Sequence, residues 1–296
     1  NVSTPSSFEI VSMDDFDEGA HYCVPLKITG TSNGMGVLEA SRTQYIFISQ
    51  ITTTRGINLK NSWYITMDGM VDDPALKDLP ACTMEIRMYA NGWRTSGHMI
   101  SSLIGVEENF LLRFGDVSCD PDQLQLAGGK TGAPSWDKPD KGTAHPTTFP
   151  THFPTKKWCH FACVYDGSQI TMYLDGEPMG DPVKATGDIS LVWSYDYGTS
   201  YGDNNGPFAI GYSAGGRYLN GRVSEFRVWN VARTPADLLN NICYVDPHTP
   251  GLIAYWRFCG TDQQEDGSIL DQTGHGYNAV AKSGSPSWVP NHKCPY

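Results

Sequence analysis

Residues 157–176, KWCHFACVYDGSQITMYLDG, constrain the fold more than any other stretch of this chain. Side chains alternate across a strand. Trp158, His160, Ala162 and Val164 therefore share one face, and Cys159, Phe161, Cys163 and Tyr165 share the other. Asp166-Gly167 follows as a turn, because Gly accepts positive φ and Asp bonds its own backbone. Ile170, Met172 and Leu174 alternate along the return strand until Asp175-Gly176 turns the chain again. A hairpin with both faces this apolar belongs inside a layered all-β protein.

The rest of the chain repeats the pattern. In CTMEIRMYAN, Thr83, Glu85, Arg87 and Tyr89 alternate with Met84, Ile86 and Met88, which makes one face apolar. FLLRFGD and LQLAGG are further short strands spaced by turn residues. TPADLLNNI is the clear helix signal. Thr234 caps it, Pro235 suits the first position, and Asp237 completes a capping box. Residues 128–156 carry Pro134, Pro139, Pro146, Pro150 and Pro154, so regular structure is not expected there. Residues 192–207, VWSYDYGTSYGDNNGP, form a second long loop.

Near the start, Val24, Leu26 and Ile28 alternate, and Tyr45 and Phe47 oppose Ile46 and Ile48, as if both faces of these strands were covered. They read as the closing strands of a small β-module. The division expected is residues 1–52 as an abbreviated N-terminal module and 53–296 as the main sandwich, with Thr52 to Gly56 as the linker. The other reading is that these strands join the main sandwich.

A net charge of −11 argues against nucleic acid, whose phosphates require a basic surface. No apolar run approaches the roughly 20 residues of a membrane span. The chain begins at Asn1 without Met or an apolar leader, so it reads as a mature or trimmed product. Of the eight cysteines, Cys82, Cys159 and Cys163 fall in apolar strand patterns and read as free core thiols. One bridge is expected among Cys243, Cys259 and Cys294, and no C-x-x-C pair offers a zinc site.

The wording of the hairpin, Trp-x-His-x-Ala then Tyr-Asp-Gly and Tyr-Leu-Asp-Gly, resembles the central hairpin of laminin G-like domains. These are jelly-roll sandwiches of the concanavalin A-like lectin/glucanase group. Residues 221–234, GRVSEFRVWNVART, resemble the family's Gly-initiated strand ending in Trp-Asn. AYWRF and DQTGHGYN, within residues 252–278, are similar to its Trp-x-Phe strand and its Asp-x-(Ser/Thr)-Gly-x-Gly-x-Asn turn. The resemblance implies core positions for Trp158, Trp229 and Trp256, and a structural role for His160. It extends to surface lipoproteins of gut bacteria, whose N-terminal module residues 22–51 resemble. That implies an extracellular or cell-surface location and outer-membrane glycan-uptake proteins as partners.

Sugar recognition needs an apolar face for C–H patches and fixed hydroxyl partners beside it. The 192–207 loop has both, with Trp193, Tyr195, Tyr197 and Tyr201 interleaved with Asp203 and Asn204. The same pattern also suits rings that cap the sandwich over turn-forming Asp and Asn. Trp136, in the proline-rich loop, and Trp93-Arg94, past a strand end, are further ligand-binding candidates. Calcium is the cofactor the resemblance implies, with Asp116, Asp271 and Asn278 as the positions to inspect.

A glycosidase needs paired carboxylates at roughly 5 to 9.5 Å. No strand carries such a run, and Glu85 stands alone on its strand. The function read from the sequence is therefore noncatalytic binding of an oligosaccharide or polysaccharide. The alternatives are a glycoside hydrolase or lyase with a dispersed active site, and an adhesion or structural module.

Overall fold

The structure is a computed structural model. It describes residues 21–30, 34, 36, 42–49, 53–60, 62–70, 73–97, 99–107, 110–116, 118–128, 135–136, 147–191, 208–213 and 215–294. In chain order the strands begin with β1 His21–Lys27, β2 Thr43–Ser49, β3 Thr53–Asn58, β4 Tyr64–Thr66 and β5 Cys82–Ala90. Next come β6 Ser101–Val106, β7 Phe110–Asp116, β8 Cys119–Gly128, β9 Ser135–Trp136 and β10 Thr147–His152. The hairpin read first from the sequence is β11 Trp158–Tyr165 and β12 Gln169–Leu174, followed by β13 Glu177–Pro178, β14 Val183–Thr186 and β15 Ala209–Ile210. β16 Gly221–Trp229 leads into helix α1 Pro235–Asn240, and β17 Leu252–Trp256, β18 Val280–Lys282 and β19 Trp288–Lys293 complete the chain.

Two compact units result. One comprises residues 1–53 with 293–296, and the other residues 54–292. In the first, β1 and β2 form an antiparallel two-stranded sheet, with His21 opposite Ser49 and Lys27 opposite Thr43. Its described side chains do not have the covered faces expected from their alternation. Val24, Leu26 and Tyr45 are 40%, 47% and 62% exposed. Among the described residues no second layer covers either face of this two-stranded sheet.

The second unit is an antiparallel jelly-roll sandwich. Its seven-stranded sheet runs β10-β8-β7-β6-β15-β4-β18, and its ten-stranded sheet β19-β3-β16-β5-β11-β12-β14-β9 with β13 and β17 alongside. The core lies between them. Ile65, Leu103, Leu112, Phe114, Leu124 and Leu126 come from the smaller sheet. Met84, Ile86, Met88, Phe161, Val223, Phe226 and Trp256 come from the larger. Phe226 stacks between Phe208 and Trp256, with ring centroids 5.8 and 5.4 Å away.

The sequence pattern is recovered in detail along β11. Phe161, Cys163 and Tyr165 enter the sandwich core, while Ala162 and Val164 pack under Leu238 of α1. That helix has the capping box expected of it, with Asp237 N donating to Thr234 Oγ1 at 3.2 Å and Thr234 N to Asp237 Oδ2 at 3.1 Å. Trp229 and Trp256 are fully buried, but Trp158 is only half-buried. It opens its strand on the face away from the core, beside Tyr89 and under the Arg87 guanidinium.

Two local expectations are corrected. Residues 53–58 are not a linker but strand β3, whose Asn58 and Ile57 pair with Arg222 and Val223. The proline-rich segment is not irregular throughout, because it supplies β9 and β10. β10 tolerates Pro150 because it is an edge strand, where a missing N–H removes no ladder bond, and its register breaks between Thr148 and His152. Cys82, Cys159 and Cys163 are buried free thiols, Cys243 and Cys294 are disulfide-bonded, and Cys259 is free.

Candidate functional site

Each sheet has a second face, turned away from the core, and the two are built differently. On the ten-stranded sheet this face is closed around Arg227. Arg227 of β16 donates from Nη2 to Glu225 Oε2 at 2.9 Å and from Nη1 to Asn241 O at 2.6 Å, and it lies 3.6 Å from Glu85 Oε1. Glu85 also accepts from Trp229 Nε1 at 2.7 Å and pairs with His160 Nε2 at 2.9 Å, so His160 has the structural role expected of it. Tyr255 donates its hydroxyl to Glu225.

A β-bulge makes this convergence possible. Between the pairs Ser224–Arg87 and Arg227–Glu85, β16 advances three residues while β5 advances two. Glu225 takes positive φ, 49°, and both it and Arg227 are buried while Phe226 and Val228 still reach the core. Glu85 is thus not alone, since a second carboxylate arrives from the neighbouring strand at the same guanidinium. Burial opposes the charge of Glu85, but Arg227, His160 and Trp229 together hold its carboxyl below the usual range. For Glu225, burial outweighs Arg227 and Tyr255 and pushes the carboxyl up. Glycosidase carboxylates must touch substrate, whereas Glu85 and Glu225 are 0% and 1% exposed. This pair is a structural cluster.

The second face of the seven-stranded sheet carries a row of polar side chains in register. Thr148, Gln125, Arg113 and Ser102 are successive partners across β10, β8, β7 and β6. Gln125 Nε2 donates to Thr148 Oγ1 at 3.0 Å, and Arg113 Nε donates to Gln125 Oε1 at 3.3 Å. The Ser102 hydroxyl lies 2.7 Å from that of Ser213, in the loop of residues 211–219 that follows β15. That loop is pinned to the sheet, with Ser102 N donating to Arg217 O at 3.1 Å and Leu219 N to Gly211 O at 2.9 Å. Gly211 is required there. Its φ is +84°, and a Cβ would stand 2.4 Å from Leu59 Cδ1.

At the accessible end of the row the loop gathers three half-buried tyrosines. Tyr212 stacks on Tyr64 of β4 with centroids 4.4 Å apart and planes 25° apart, and Tyr218 completes the cluster at 4.8 Å from Tyr212 and 6.2 Å from Tyr64. Arg217 Nη1 donates to Glu107 Oε1 at 2.8 Å. Lys282, the register partner of Tyr64, reaches Asp68 at 2.8 Å, and Arg113 Nη2 reaches Asp116 at 2.6 Å. Burial, then neighbouring Tyr218, raises the pKa of both Tyr64 and Tyr212. Their hydroxyls therefore remain protonated at neutral pH and can donate as well as accept. Half-exposed rings flanked by oriented hydroxyl and guanidinium groups match what a sugar presents.

Of the residues named from sequence, Trp193, Tyr195, Tyr197, Tyr201, Asp203 and Asn204 lie outside the described residues, as does the side chain of Trp136, whose backbone belongs to β9. Trp93 is half-buried against Phe114 at 4.4 Å and packs on the core, with Arg94 half-buried beside it. Asp116 is paired with Arg113. Asp271 is buried and accepts from Tyr255 N, Thr273 N, Thr273 Oγ1 and Tyr277 N, while its own N–H donates to Asn278 Oδ1 at 3.0 Å. Its carboxylate thus organises the DQTGHGYN turn.

Sequence reading missed two groupings. One is the tyrosine cluster, whose local signal was the Gly- and Tyr-rich run GYSAGGRY just before β16. The other is Asp120, Asp122 and His152, with donor atoms within 4.8 Å of one another and His152 Nδ1 2.9 Å from Asp122 Oδ1. Its signal was an Asp-Pro-Asp alternation beside a segment read as irregular. Elsewhere, Arg55, Gly260, Trp288, Val289 and Pro290 line an open depression of about 470 Å³.

A jelly-roll sandwich with an aromatic, polar outer face is a lectin-type architecture. The sequence agrees at family level. A laminin G-type model of the concanavalin A-like lectin/glucanases superfamily matches residues 81–239, more than half of the chain, and the protein belongs to that superfamily. Among solved structures, a candidate carbohydrate-binding protein from Bacteroides ovatus ATCC 8483 is similar with a TM-score of 0.64 and 25% identity, over 92% of this chain and 70% of that one. A heptameric SAP-like pentraxin from Limulus polyphemus gives a TM-score of 0.39 at 14% identity, covering 79% of this chain and 96% of its own. Domain 4 of the Geobacillus stearothermophilus arabinanase AbnA, in complex with arabinotriose, gives 0.33 at 14%, covering 55% and 66%. No curated protein matches the sequence.

Proposed function

We propose that the protein is a noncatalytic carbohydrate-binding protein, and that sugar binds at the tyrosine cluster on the outer face of the seven-stranded sheet. The observation that carries this is the arrangement of Tyr64, Tyr212 and Tyr218 with their rings within 6.2 Å of one another, next to Ser213 and Arg217. The rings cover the C–H patches of a sugar, and the adjoining hydroxyls and guanidinium bond its hydroxyl groups. The similarity to the Bacteroides ovatus protein supports carbohydrate as the ligand class. The sequence resemblance to bacterial surface lipoproteins supports a cell-surface location and association with outer-membrane glycan-uptake proteins. Calcium is part of the same proposal, as a test of binding in its presence and after chelation.

A glycan array identifies the ligand, and calorimetric titration then locates the site. Tyr212→Ala removes ring area worth roughly 25 cal/mol per Å², which amounts to about 1–2 kcal/mol, or on the order of tenfold in Kd. Trp288→Ala, at the separate depression, leaves Kd unchanged. The reverse result would move the site to Trp288. Sustained release of reducing sugar, abolished by one Asp or Glu substitution, would overturn the noncatalytic reading.

A further inference from the structure

We propose that this face selects uncharged glycans and discriminates against uronic, sialylated and sulfated ones, an inference that rests on the tyrosine cluster being the sugar site. Three cations border the cluster or extend the polar row, and each already holds a carboxylate. Arg113 is paired with Asp116 at 2.6 Å, Arg217 with Glu107 at 2.8 Å, and Lys282 with Asp68 at 2.8 Å. Among the described residues each of these three positive charges is matched by a negative one, so none of the three is left over to attract an acidic sugar. An acidic sugar would have to bind against a guanidinium that is already neutralised, or displace its partner. Displacement is costly, because Glu107 is 8% exposed and would be left with a charge away from water.

The hydrogen-bonding capacity points the same way. Glu107 binds Arg217 through Oε1, and its Oε2 is buried without a hydrogen-bond partner. Drawing Arg217 toward an acidic sugar would therefore leave both oxygens of this carboxylate without a donor. Sugar hydroxyls can donate, whereas a sugar carboxylate or sulfate brings only further lone pairs and negative charge. The tyrosine hydroxyls supply the complementary donors, since Tyr64 and Tyr212 stay protonated. The net charge of −11 adds a repulsion that acts before contact.

The test pairs each acidic glycan with a neutral counterpart of the same skeleton: polygalacturonate with its methyl ester, and sialyllactose with lactose, within an array of neutral polysaccharides. Neutral members should bind at least about tenfold more tightly, with a Kd that changes less than about twofold from 0.05 to 0.5 M salt. Glu107→Gln frees Arg217 of its counter-charge and should narrow the difference for acidic members. Tighter binding of acidic members, or equal binding within pairs, would overturn this selectivity while leaving carbohydrate binding intact. Failure to bind any glycan would overturn carbohydrate binding itself and this inference with it.

Discussion

Arg227→Met would test whether the closed face of the ten-stranded sheet depends on one buried cation. Methionine keeps an apolar stem of similar reach but removes the donors to Glu225 Oε2 and Asn241 O and the charge 3.6 Å from Glu85. Glu85 would retain His160 and Trp229, and Glu225 would retain Tyr255, but neither carboxylate can reach water. Removing one partner of a buried ion pair costs about 3–5 kcal/mol. For a sandwich of this size that is a fall in Tm of about 6–20 °C. The pH dependence has a definite sign. In the parent, Glu85 titrates below its unfolded value, so its stabilisation is present above pH ~4.5 and is lost as the pH falls through the folded value. In the variant, the buried carboxylates titrate above their unfolded values, so the deficit is largest near neutrality and shrinks as the pH approaches ~4.5. Chemical denaturation at several pH values measures both. A loss below about 1 kcal/mol, or a deficit that does not change with pH, would refute the reasoning.

Glu85→Gln should destabilise more than Glu225→Gln by about 1 kcal/mol or more at neutral pH, because burial already disfavours the charge on Glu225 while Glu85 is held ionised; equal losses in denaturation would contradict this. Gly211→Ala should cost about 1–3 kcal/mol and weaken glycan binding, since the new Cβ meets Leu59 and the loop carrying Tyr212 must shift; an unchanged Tm together with unchanged Kd would count against it. Thiol titration of the unfolded, unreduced chain should find six free groups, and in the native protein exposed Cys23 should react well before Cys82 and Cys159, whose thiols burial pushes up to about 12 and about 11.

The fold was legible wherever one strand's period reports one buried face. The hairpin of β11 and β12, the capped helix and the Trp-bearing strands all follow from local pattern. Strands β3 and β10 were not legible, because TTRGIN and TTFPTH resemble a linker and a proline-rich loop and become strands only through their partners. The polar side of β5 was misleading for a related reason. Glu85 and Arg87 alternate with methionines as a solvated face would, yet both are buried. Alternation distinguishes polar from apolar but not solvated from paired, and the pairing partners Arg227, His160 and Thr54 arrive from other strands. The candidate site was hidden by order along the chain. Tyr64 lies on β4 and its stacking partner Tyr212 in the GYSAGGRY run far downstream, so the signal in that run did not name the ring that completes the stack.

The contrast between the two outer faces bears on where binding energy can come from. On the ten-stranded sheet the charges gathered at Arg227 are enclosed with their partners and are unavailable to a ligand. On the seven-stranded sheet the charges are also paired, but the tyrosines beside them are half-exposed. Ion pairs of this kind contribute orientation more than attraction, because any new charge must compete with the existing partner. Stacking a sugar on a ring displaces no counter-charge. Affinity at this face should therefore follow ring area, and selectivity should follow which hydroxyls the fixed polar groups can reach. A sheet built this way reads the shape and hydroxyl pattern of a glycan rather than its charge.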